Sequence, residues 1–424
     1  MSNTRYALLI LVLSFPVLAH ATNGYFSHGA GTKSKAMAGA GSAIPEDALN
    51  AAINPANLVL VGPRVDAGAS LFLPVRGFRA NDDATAGTPQ IPPGQYDSEQ
   101  SWFLIPQFAW AHKLSEDSAT GVVISANGLS TRYDAPLFRF FEQPGAPDEQ
   151  RASAPVGADL YQLFVHVPYS IRLGPNFTAG IGPIMAVQAF RARGMEPFRA
   201  VSIAPDAVTN NGFDYSYGIG LSLGLNYRPT EWVALAFGLQ PRIDMTPFDK
   251  YQGAFAEQGD FDIPLAFQFG VSFEPHDDLT LSIDYQEIRY SEIAAIGNTN
   301  NRPLTTVELG SDEGIGGGWD DAQVLKLGAR WHYAHDLVLR AGYSRMNQII
   351  PRTQAMINIV APAVSREHFS IGFTKQLDPG HEWSAALTWS PEESVRGLNP
   401  NTGDQTGDLQ MQQTELEIIY SWRF

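Results

Sequence analysis

Histidine, serine and paired carboxylates are the residues of this chain whose chemistry could support catalysis or metal binding. The sequence has nine histidines and no cysteine, and no histidine pair has the helical i, i+4 spacing with glutamate that a zinc protease needs. His166 and Ser170 share one face of a predicted strand, but four residues of strand separate them by ~13 Å, too far for a direct hydrogen bond. His332 and His335 flank a short turn, where solvated side chains are typical.

Three pairs of adjacent aspartates, at 82–83, 277–278 and 320–321, occupy predicted loops or strand ends. Calcium binding by surface loops is one interpretation of these pairs, and solvated surface charge is the simpler one. The sequence contains no phosphate-binding P-loop. These patterns predict neither an enzyme nor a cofactor nor a metal site.

Composition and charge limit the class of protein. The 424 residues include 44% hydrophobic and only 17% charged residues, with a formal net charge of −16. The sequence pI near 4.9 argues against nucleic acid as a partner. The lack of cysteine excludes zinc–thiolate sites, thiol nucleophiles and disulfides, and it suits an exported protein.

The first residues predict export. Arg5 precedes the apolar run YALLILVLSFPVLA, and Ala19-His20-Ala21 has the small-x-small pattern of a signal peptidase site. We therefore predict a cleaved signal peptide at residues 1–21, with a short N-terminal anchor as the alternative. No later stretch approaches the ~20 apolar residues of a spanning helix. The mature protein is therefore predicted to be either a soluble exported protein or a membrane barrel.

Much of the remaining chain alternates apolar and polar residues with a period of two. In the final segment, ELEIIYSWRF, one face carries Leu416, Ile418, Tyr420, Trp422 and Phe424. The other face carries Glu415, Glu417, Ser421 and Arg423, with Ile419 as its one apolar residue. A helix, with its period of 3.6, would mix the two faces. About fourteen such segments occur, an even number that is typical of bacterial outer-membrane barrels.

The connections between these segments alternate between short turns, such as SEDS, PHDD and DPG, and seven long loops. This alternation places all the long loops on one side, as in an outer-membrane barrel. A closed barrel has no free edge, so its last strand pairs with the first and presents an apolar face to lipid. The predicted fold is an all-β, 14-stranded antiparallel transmembrane barrel, and a secreted β-sandwich or propeller is the alternative.

Residues 22–63 precede the first predicted strand and are rich in glycine and alanine. They do not have the composition of a disordered tail, because larger apolar residues occur among the small ones: Tyr25, Phe26, Met37, Leu49 and Ile53. The stretch PEDALNAA predicts a short helix with Asp47 near its N-terminal end. The segment could fold into the barrel lumen as a plug or extend into the periplasm, and the pattern alone favours neither.

The stretch NGYFSHGAGTKSKAMAGAGSAIPEDALNAAINPANL resembles the N-terminal hatch of the FadL/TodX-type outer-membrane transporters of long-chain fatty acids and aromatic hydrocarbons. Asn54-Pro55-Ala56 matches the NPA motif of that family. Further similar segments follow in order: GPIMAVQAFRARGMEPF, FDKYQGAFAEQGDFDIP, LRAGYSRMNQIIP with NIVAPAVSREHFSIGF, and MQQTELEIIYSWRF. The resemblance covers essentially the whole mature chain and is weakest in the remaining extracellular loops.

The resemblance implies that residues 22–63 form a hatch inside a barrel of residues 64–424, with Tyr25, Phe26, Lys33 and the NPA residues as its ligand-binding or gating positions. It also implies an apolar outer groove, an inner pocket, hatch rearrangement and lateral exit at a kink in the third strand. Asn127-Gly128 is the expected place for that kink, because glycine tolerates irregular backbone. The groove candidates are residues of two long loops that we expect to be exposed: Leu137, Phe138, Phe140, Phe141, Phe248, Tyr251, Phe255 and Phe261. Packing of these loops on themselves is the alternative.

A fatty-acid carboxylate in such a channel would need a cation or backbone donors in a poorly hydrated site. The inward faces and the hatch offer four cations: Lys326, Arg330, Arg340 and Lys33. In polar barrel lumens, however, cations are commonly paired with inward acids such as Asp284 and Glu417.

We therefore predict a passive uptake channel in the outer membrane of a Gram-negative bacterium, for long-chain fatty acids or other hydrophobic molecules. The predicted protein is a monomer surrounded by outer-membrane lipid, without a cofactor, an enzymatic activity or a nucleic-acid partner. One alternative is an aromatic-hydrocarbon channel of the same family. Others are a general porin, whose lumen would be open, and a lipid-hydrolysing barrel, which would need a close Ser–His or metal site.

Overall fold

The computed structural model describes residues 22–86, 90–302, 306–399 and 405–424. The predicted signal peptide, residues 1–21, lies outside the described residues. Within these ranges fourteen antiparallel strands, two of them interrupted, form a closed barrel, and the predicted fold is confirmed. In chain order the strands are β1 Arg64–Ala80, β2 Gly94–Asp97 with Phe103–Lys113, β3 Ser118–Ser130, β4 Gly157–His166 with Tyr169–Gly174, β5 Phe177–Arg193, β6 Asp214–Thr230, β7 Val233–Gln240, β8 Ala266–His276, β9 Leu279–Ile288, β10 Ala322–Ala334, β11 Leu337–Met346, β12 Glu367–Asp378, β13 His381–Leu398 and β14 Thr406–Arg423.

The last strand closes the barrel by pairing with the first, from Arg423 opposite Arg64 to Gly407 opposite Ala80. Its period of two separates a lipid-facing from a lumen-facing side. Ile418 is 49% exposed on the outside, whereas Glu417 is 1% exposed on the inside. Ile419, the apolar residue on the inward face, packs in a cluster with Ala48, Leu49 and Leu58 of the N-terminal region.

Short turns and long connections alternate around the barrel, as predicted, so the long connections share one end. They contain short helical pieces at Arg139–Phe141, Asp148–Gln150, Glu196–Val201, Pro205–Ala207, Asp249–Tyr251, Ala256–Gly259, Tyr290–Glu292, Ala294–Gly297, Arg352–Gln354 and Ile357–Val360. No helix in the described part of the chain is both long enough and apolar enough to cross a membrane.

The N-terminal segment, residues 22–63, is compact and largely buried. Its short strands Thr22–Asn23 and Phe26–Ser27 pair with each other, and the helices Thr32–Lys35, Ala48–Ala52, Pro55–Asn57 and Leu58–Val61 follow. The tight turn between the strands contains Gly24, whose φ of 74° favours glycine. The predicted helix around PEDALNAA is a 3₁₀ helix, and the Asp47 side chain accepts a hydrogen bond from Asn50 N at 3.1 Å at its start.

Candidate functional site

Ion pairs join the N-terminal segment to the inward face of the barrel wall. Lys33 Nζ contacts Glu382 Oε1 of β13 at 2.5 Å, and Lys35 Nζ contacts Glu415 Oε1 and Glu417 Oε2 of β14 at 2.7 and 2.8 Å. All five side chains are at most 5% exposed. Removing one partner of a buried pair leaves an uncompensated charge, so these contacts hold the segment against one side of the barrel.

Glu46 makes a second set of contacts, with two arginines of neighbouring strands. Arg340 Nε of β11 donates to Glu46 Oε2 at 3.0 Å, and Arg330 Nη1 of β10 lies 3.6 Å from Glu46 Oε1. Burial raises the pKa of Glu46, but the two guanidinium groups outweigh burial and hold this pKa well below its usual range. Three of the four predicted lumen cations, Lys33, Arg330 and Arg340, are therefore paired with carboxylates of the protein itself.

The fourth predicted cation, Lys326 of β10, donates to His28 O at 2.9 Å and to Gln268 Oε1 at 3.2 Å. Asp284 of β9 accepts from the backbone nitrogens of Gly41 and Ser42 at 2.7 and 3.1 Å. Of the two acids that the sequence suggested as cation partners, Glu417 pairs with Lys35, whereas Asp284 binds the backbone of the N-terminal segment.

The NPA residues Asn54-Pro55-Ala56 pack against β5 and β6. Asn54 Oδ1 accepts from Ala56 N at 3.1 Å, and Asn54 Nδ2 donates to Leu225 O at 3.0 Å. A Cβ atom on Gly224 would lie 2.1 Å from Asn54 Oδ1, and one on Gly180 would lie 2.3 Å from Ala56 N. The motif therefore sits where the barrel wall has no side chain, and its observed contacts are structural.

An apolar cavity of about 140 Å³ lies among the long connections, and we call it the upper cavity. Aromatic and aliphatic side chains from the loops and strand ends line it, among them Phe190, Phe198, Phe255, Phe261, Trp319, Leu160, Ile296 and Val360. Asn358 contributes the one amide side chain, and its Oδ1 already accepts from Trp319 Nε1 at 2.6 Å. Among the described residues, the lining includes no charged side chain.

A second cavity of about 120 Å³, the lower cavity, lies between the N-terminal segment and strands β2, β3, β4, β7, β8, β9 and β10. Its lining is mixed, with Phe26 and Phe164 beside the polar residues Gln107, Ser125, Asn127, His166, Gln268 and Lys326. Ser125 Oγ and His166 Nε2 are 2.9 Å apart in this lining.

Tyr25 and Phe26 lie at the boundary of the two cavities, because Tyr25 lines the upper one and Phe26 lines the lower one. Tyr290 holds both residues. Its hydroxyl accepts from Tyr25 N and Phe26 N, each at 3.3 Å, and donates to Asn23 O at 2.6 Å. The ring of Tyr290 packs on both aromatic rings, with centroids 5.1 and 5.9 Å away. Burial raises the pKa of Tyr290 well above its usual range, so the hydroxyl stays protonated.

The proposed outer-groove residues are mostly not exposed. The expectation of exposure is wrong for Leu137, Phe138, Phe248, Tyr251 and Phe261, which are between 0 and 8% exposed. Phe140, Phe141 and Phe255 are half-buried. The physical reason is that the loops pack on their own aromatic rings: Phe198 contacts Phe138 and Phe141, while Phe190 contacts Phe248, Tyr251 and Phe255. Of the eight candidates, Phe255 and Phe261 line the upper cavity.

The hydrogen-bonded ladder between β2 and β3 stops partway. Phe108 opposite Ile124 is its last pair, so Phe103–Gln107 pair with β1 alone and the end of β3 pairs with β4 alone. At that end the N-terminal segment takes the place of a strand, because Ser27 N donates to Asn127 Oδ1 at 3.0 Å and Gly128 N donates to Tyr25 O at 3.1 Å. The ladder gap therefore borders the lower cavity.

Sequence reasoning missed the Ser125–His166 pair, because it compared His166 with Ser170 of the same strand. Ser170 Oγ instead donates to Ala56 O at 2.9 Å. Residues 220–224 have the G-x-S-x-G spacing of a nucleophile motif, but they lie inside β6, where Ser222 Oγ donates to Gly182 O at 3.1 Å. In the described ranges, no three or more His, Asp or Glu side chains form a group that could hold a metal ion.

Comparisons with known proteins agree with this architecture. Residues 19–424 match the sequence family described as Outer membrane protein transport protein (OMPP1/FadL/TodX). No curated protein matches the chain in a sequence search.

Similar solved structures include the toluene transporter TodX of Pseudomonas putida, at 18% identity and a TM-score of 0.67, over 94% of this chain and 99% of that one. A FadL homologue of Pseudomonas aeruginosa has 15% identity and a TM-score of 0.67, over 95% and 100%. The toluene transporter TbuX of Ralstonia pickettii has 17% identity and a TM-score of 0.61, over 94% and 99%. At these identities the likeness shows a shared fold.

Proposed function

Because this chain belongs to the OMPP1/FadL/TodX family of outer membrane transport proteins, we propose that it is a passive uptake channel for small, neutral hydrophobic molecules. A single aromatic ring is the ligand that its upper cavity fits best. The family consists of transport channels and not of enzymes, and its barrels reside in the outer membrane of Gram-negative bacteria.

The upper cavity is the observation that carries this proposal. An apolar cavity of about 150 Å³ in a protein core stays dry and accepts benzene, and the upper cavity has a comparable volume of about 140 Å³. Its aromatic walls, which include Phe190, Phe255 and Phe261, offer the tilted and edge-on ring contacts that aromatic ligands make. Transfer from water gains about 25 cal/mol per Å² of buried apolar surface, so toluene would bind without any polar contact.

The same cavity disfavours a long-chain fatty acid as its main ligand. A carboxylate in an apolar site needs a cation or several donors, and no charged side chain lines the upper cavity within the described residues. Three of the candidate cations are paired with Glu46 or Glu382. A general porin is disfavoured for another reason, because the N-terminal segment bonds to inward-facing side chains of β9, β13 and β14.

We propose a route from the upper cavity, past Tyr25 and Phe26, to the lower cavity and then sideways through the gap between β2 and β3. Rearrangement of the N-terminal segment would join the cavities, and the contacts of Tyr25 with Tyr290 support the proposal that Tyr25 is the gating residue. The half-buried Phe140 and Phe141 remain candidates for a first contact at the outer surface. The lateral step would deliver an apolar molecule to lipid, where it is more stable than in water.

The test is equilibrium binding of toluene and of oleate to the purified, detergent-solubilised protein and to its Phe261→Ala and Phe255→Ala variants. Toluene should bind the unmodified protein, and each variant should bind it several-fold more weakly, because one aromatic contact contributes about 0.5–1.5 kcal/mol. Oleate has a far larger apolar surface than toluene. Its binding free energy per unit of apolar surface should nevertheless be smaller than that of toluene.

Phe369→Ala is the matched control, since Phe369 lies on the lipid-facing side of β12, 44% exposed and away from both cavities. Its affinity for toluene should equal that of the unmodified protein. Tight oleate binding with no toluene binding would overturn the choice of ligand. Failure to bind either ligand, together with free passage of small sugars through reconstituted protein, would overturn the channel assignment in favour of a porin.

A further inference from the structure

Three polar atoms of residues that line the lower cavity have no hydrogen-bond partner among the described residues: His166 Nδ1, Gln107 Oε1 and Gln240 Nε2. Gln240 is half-buried, whereas His166 and Gln107 are 2% and 7% exposed. Leaving such an atom unpaired in a buried site is unfavourable. Resting on the proposed function, we propose that the lower cavity binds a neutral aromatic molecule carrying a hydroxyl group, that is, a phenol or an aromatic alcohol.

The orientation of Gln107 is fixed by its other partner. Its Nε2 donates to Glu417 Oε2 at 2.5 Å. Because an ionised carboxylate only accepts hydrogen bonds, the amide nitrogen must be the end that faces Glu417. The carbonyl oxygen Oε1 is then the end left for a ligand, and it requires a donor such as a hydroxyl hydrogen.

His166 offers the complementary group. Its Nε2 is 2.9 Å from Ser125 Oγ, and when that hydroxyl donates to Nε2, the ring proton is on Nδ1. The chain of hydrogen bonds then runs from Ser125 Oγ to His166 Nε2, from His166 Nδ1 to the ligand oxygen, and from the ligand hydroxyl to Gln107 Oε1. A hydroxyl is both a donor and an acceptor, which matches this pair, whereas a ketone or an ether lacks the donor for Gln107.

The charges around the cavity favour a neutral ligand over a carboxylate. Two lysines line it, Lys35 and Lys326, but three carboxylates lie behind them. Glu415 and Glu417 are bonded to Lys35, and Asp284 accepts from Gln268 Nε2 at 2.9 Å, next to Lys326. An anionic ligand would meet more buried negative than positive charge, and that arrangement is strongly unfavourable.

The rest of the lining suits an aromatic ring. Phe26 and Phe164, both buried, provide apolar surface beside the polar atoms. The site also borders the gap between β2 and β3, since Gln107 and Ser125 are the first residues beyond the last pair of that ladder. A hydroxylated ring is therefore retained at the end of the route by hydrogen bonds that a plain hydrocarbon cannot make, and the channel distinguishes the two at its lower cavity.

The experiment compares p-cresol with toluene, which differ by one hydroxyl group, as ligands of the full-length purified protein at pH 7, where a phenol with a pKa of about 10 is neutral. The variants are His166→Phe and Gln107→Met, which keep side-chain size. We expect p-cresol to have a binding component about tenfold tighter than that of toluene, as two added hydrogen bonds of 0.5–1.5 kcal/mol each imply. Both variants should lose this component and keep the affinity for toluene.

Phe255→Ala separates this inference from the proposed function. It should weaken toluene binding and leave the tighter p-cresol component unchanged. If p-cresol binds no more tightly than toluene to the unmodified protein, or if the component survives in His166→Phe and Gln107→Met, the inference is wrong. If toluene does not bind at all while both variants still abolish the p-cresol component, the proposed ligand class fails and the hydroxyl site stands.

Discussion

The hydroxyl group of Tyr290 bonds to the backbone of Tyr25, 265 residues earlier in the chain. One phenol oxygen accepts from two consecutive backbone nitrogens and donates to Asn23 O. It thereby holds the chain at the boundary between the upper and lower cavities. A loop of the barrel, and not the N-terminal segment alone, therefore fixes the positions of Tyr25 and Phe26.

Tyr290→Phe should increase the rate of toluene uptake by cells that carry the protein, by about tenfold. The ring packing remains, but loss of the hydroxyl removes about 1–2 kcal/mol of support for the closed boundary. Uptake would be normalised to the amount of folded protein. Tyr343→Phe is the control, since Tyr343 Oη donates to Glu367 on the outer face of the barrel, and its uptake rate should not change. Equal rates in both variants would contradict a gating role for Tyr25.

Glu46→Gln should release the N-terminal segment without unfolding the barrel. The substitution leaves the buried Arg340 and the half-buried Arg330 without their carboxylate, a loss of about 3–5 kcal/mol. Lys33 and Lys35 are buried in the unmodified protein, so trypsin should cleave there only in the variant. Glu99→Gln is the control, because the Arg132–Glu99 pair is about half exposed and contributes only about 0–1 kcal/mol. If the Glu46→Gln variant resists trypsin, the remaining contacts of the N-terminal segment hold it in place without Glu46, and the prediction is wrong.

Gly224→Ala should displace the NPA residues and raise the ionic conductance of the reconstituted protein. The new Cβ would lie 2.1 Å from Asn54 Oδ1, and overpacking of this kind is unfavourable by about 1–3 kcal/mol. Gly174→Ala makes the same chemical change in β4, where a Cβ has no neighbour within 4 Å, and it should leave conductance unchanged. If the conductance of Gly224→Ala equals that of the unmodified protein, the N-terminal segment shifts without opening a path through the barrel, and the prediction is wrong.

The loop between β7 and β8 should become less stable as the pH rises from about 4 to 7. Burial, then the neighbouring charge of Asp262, raise the pKa of Asp260 from its usual 3.8 to about 7. The folded loop thus binds this proton more tightly than the unfolded loop. Between the pKa of Asp260 in the unfolded loop and its pKa in the folded loop, the equilibrium constant for loop opening rises by up to about tenfold per pH unit. Above the folded-state pKa the stability of the loop is constant. Amide exchange protection factors of residues 246–263 measure this opening.

Asp260→Asn should abolish that pH dependence, because the amide does not titrate. Arg242 contacts both Asp260 and Asp262 and remains charged throughout this range. A profile that stays unchanged in Asp260→Asn would assign the effect to another group.

The barrel was predictable because its strands obey a local rule. The outward Ile418 and inward Glu417 differ by one position, and a period of two is visible without knowledge of any partner. The positions of the loop aromatics were not predictable in this way. Phe138 and Phe248 look alike in sequence whether they face water or another loop, and only contacts with Phe198 and Phe190 decide the matter.

The candidate site was harder to predict than the fold for the same reason. Ser125 and His166 are 41 residues apart in the chain, and their contact depends on the register between two strands. Lys33 could be named as a cation from the sequence, but Glu382 could not be named as its partner. The gap between β2 and β3 has no local signal beyond Asn127-Gly128, because it is a property of two strands and of the segment that replaces one of them.

The contacts of the N-terminal segment also determine the order in which the molecule is assembled. Lys35 binds Glu415, which lies 380 residues further along the chain, and Thr22 binds Gln413, 391 residues away. Such distant contacts form late, since the intervening chain must be organised before its ends meet. The N-terminal segment, which is synthesised before the barrel, therefore reaches its native partners only when the last strand closes the ring, and docking of the segment and closure of the barrel become one event.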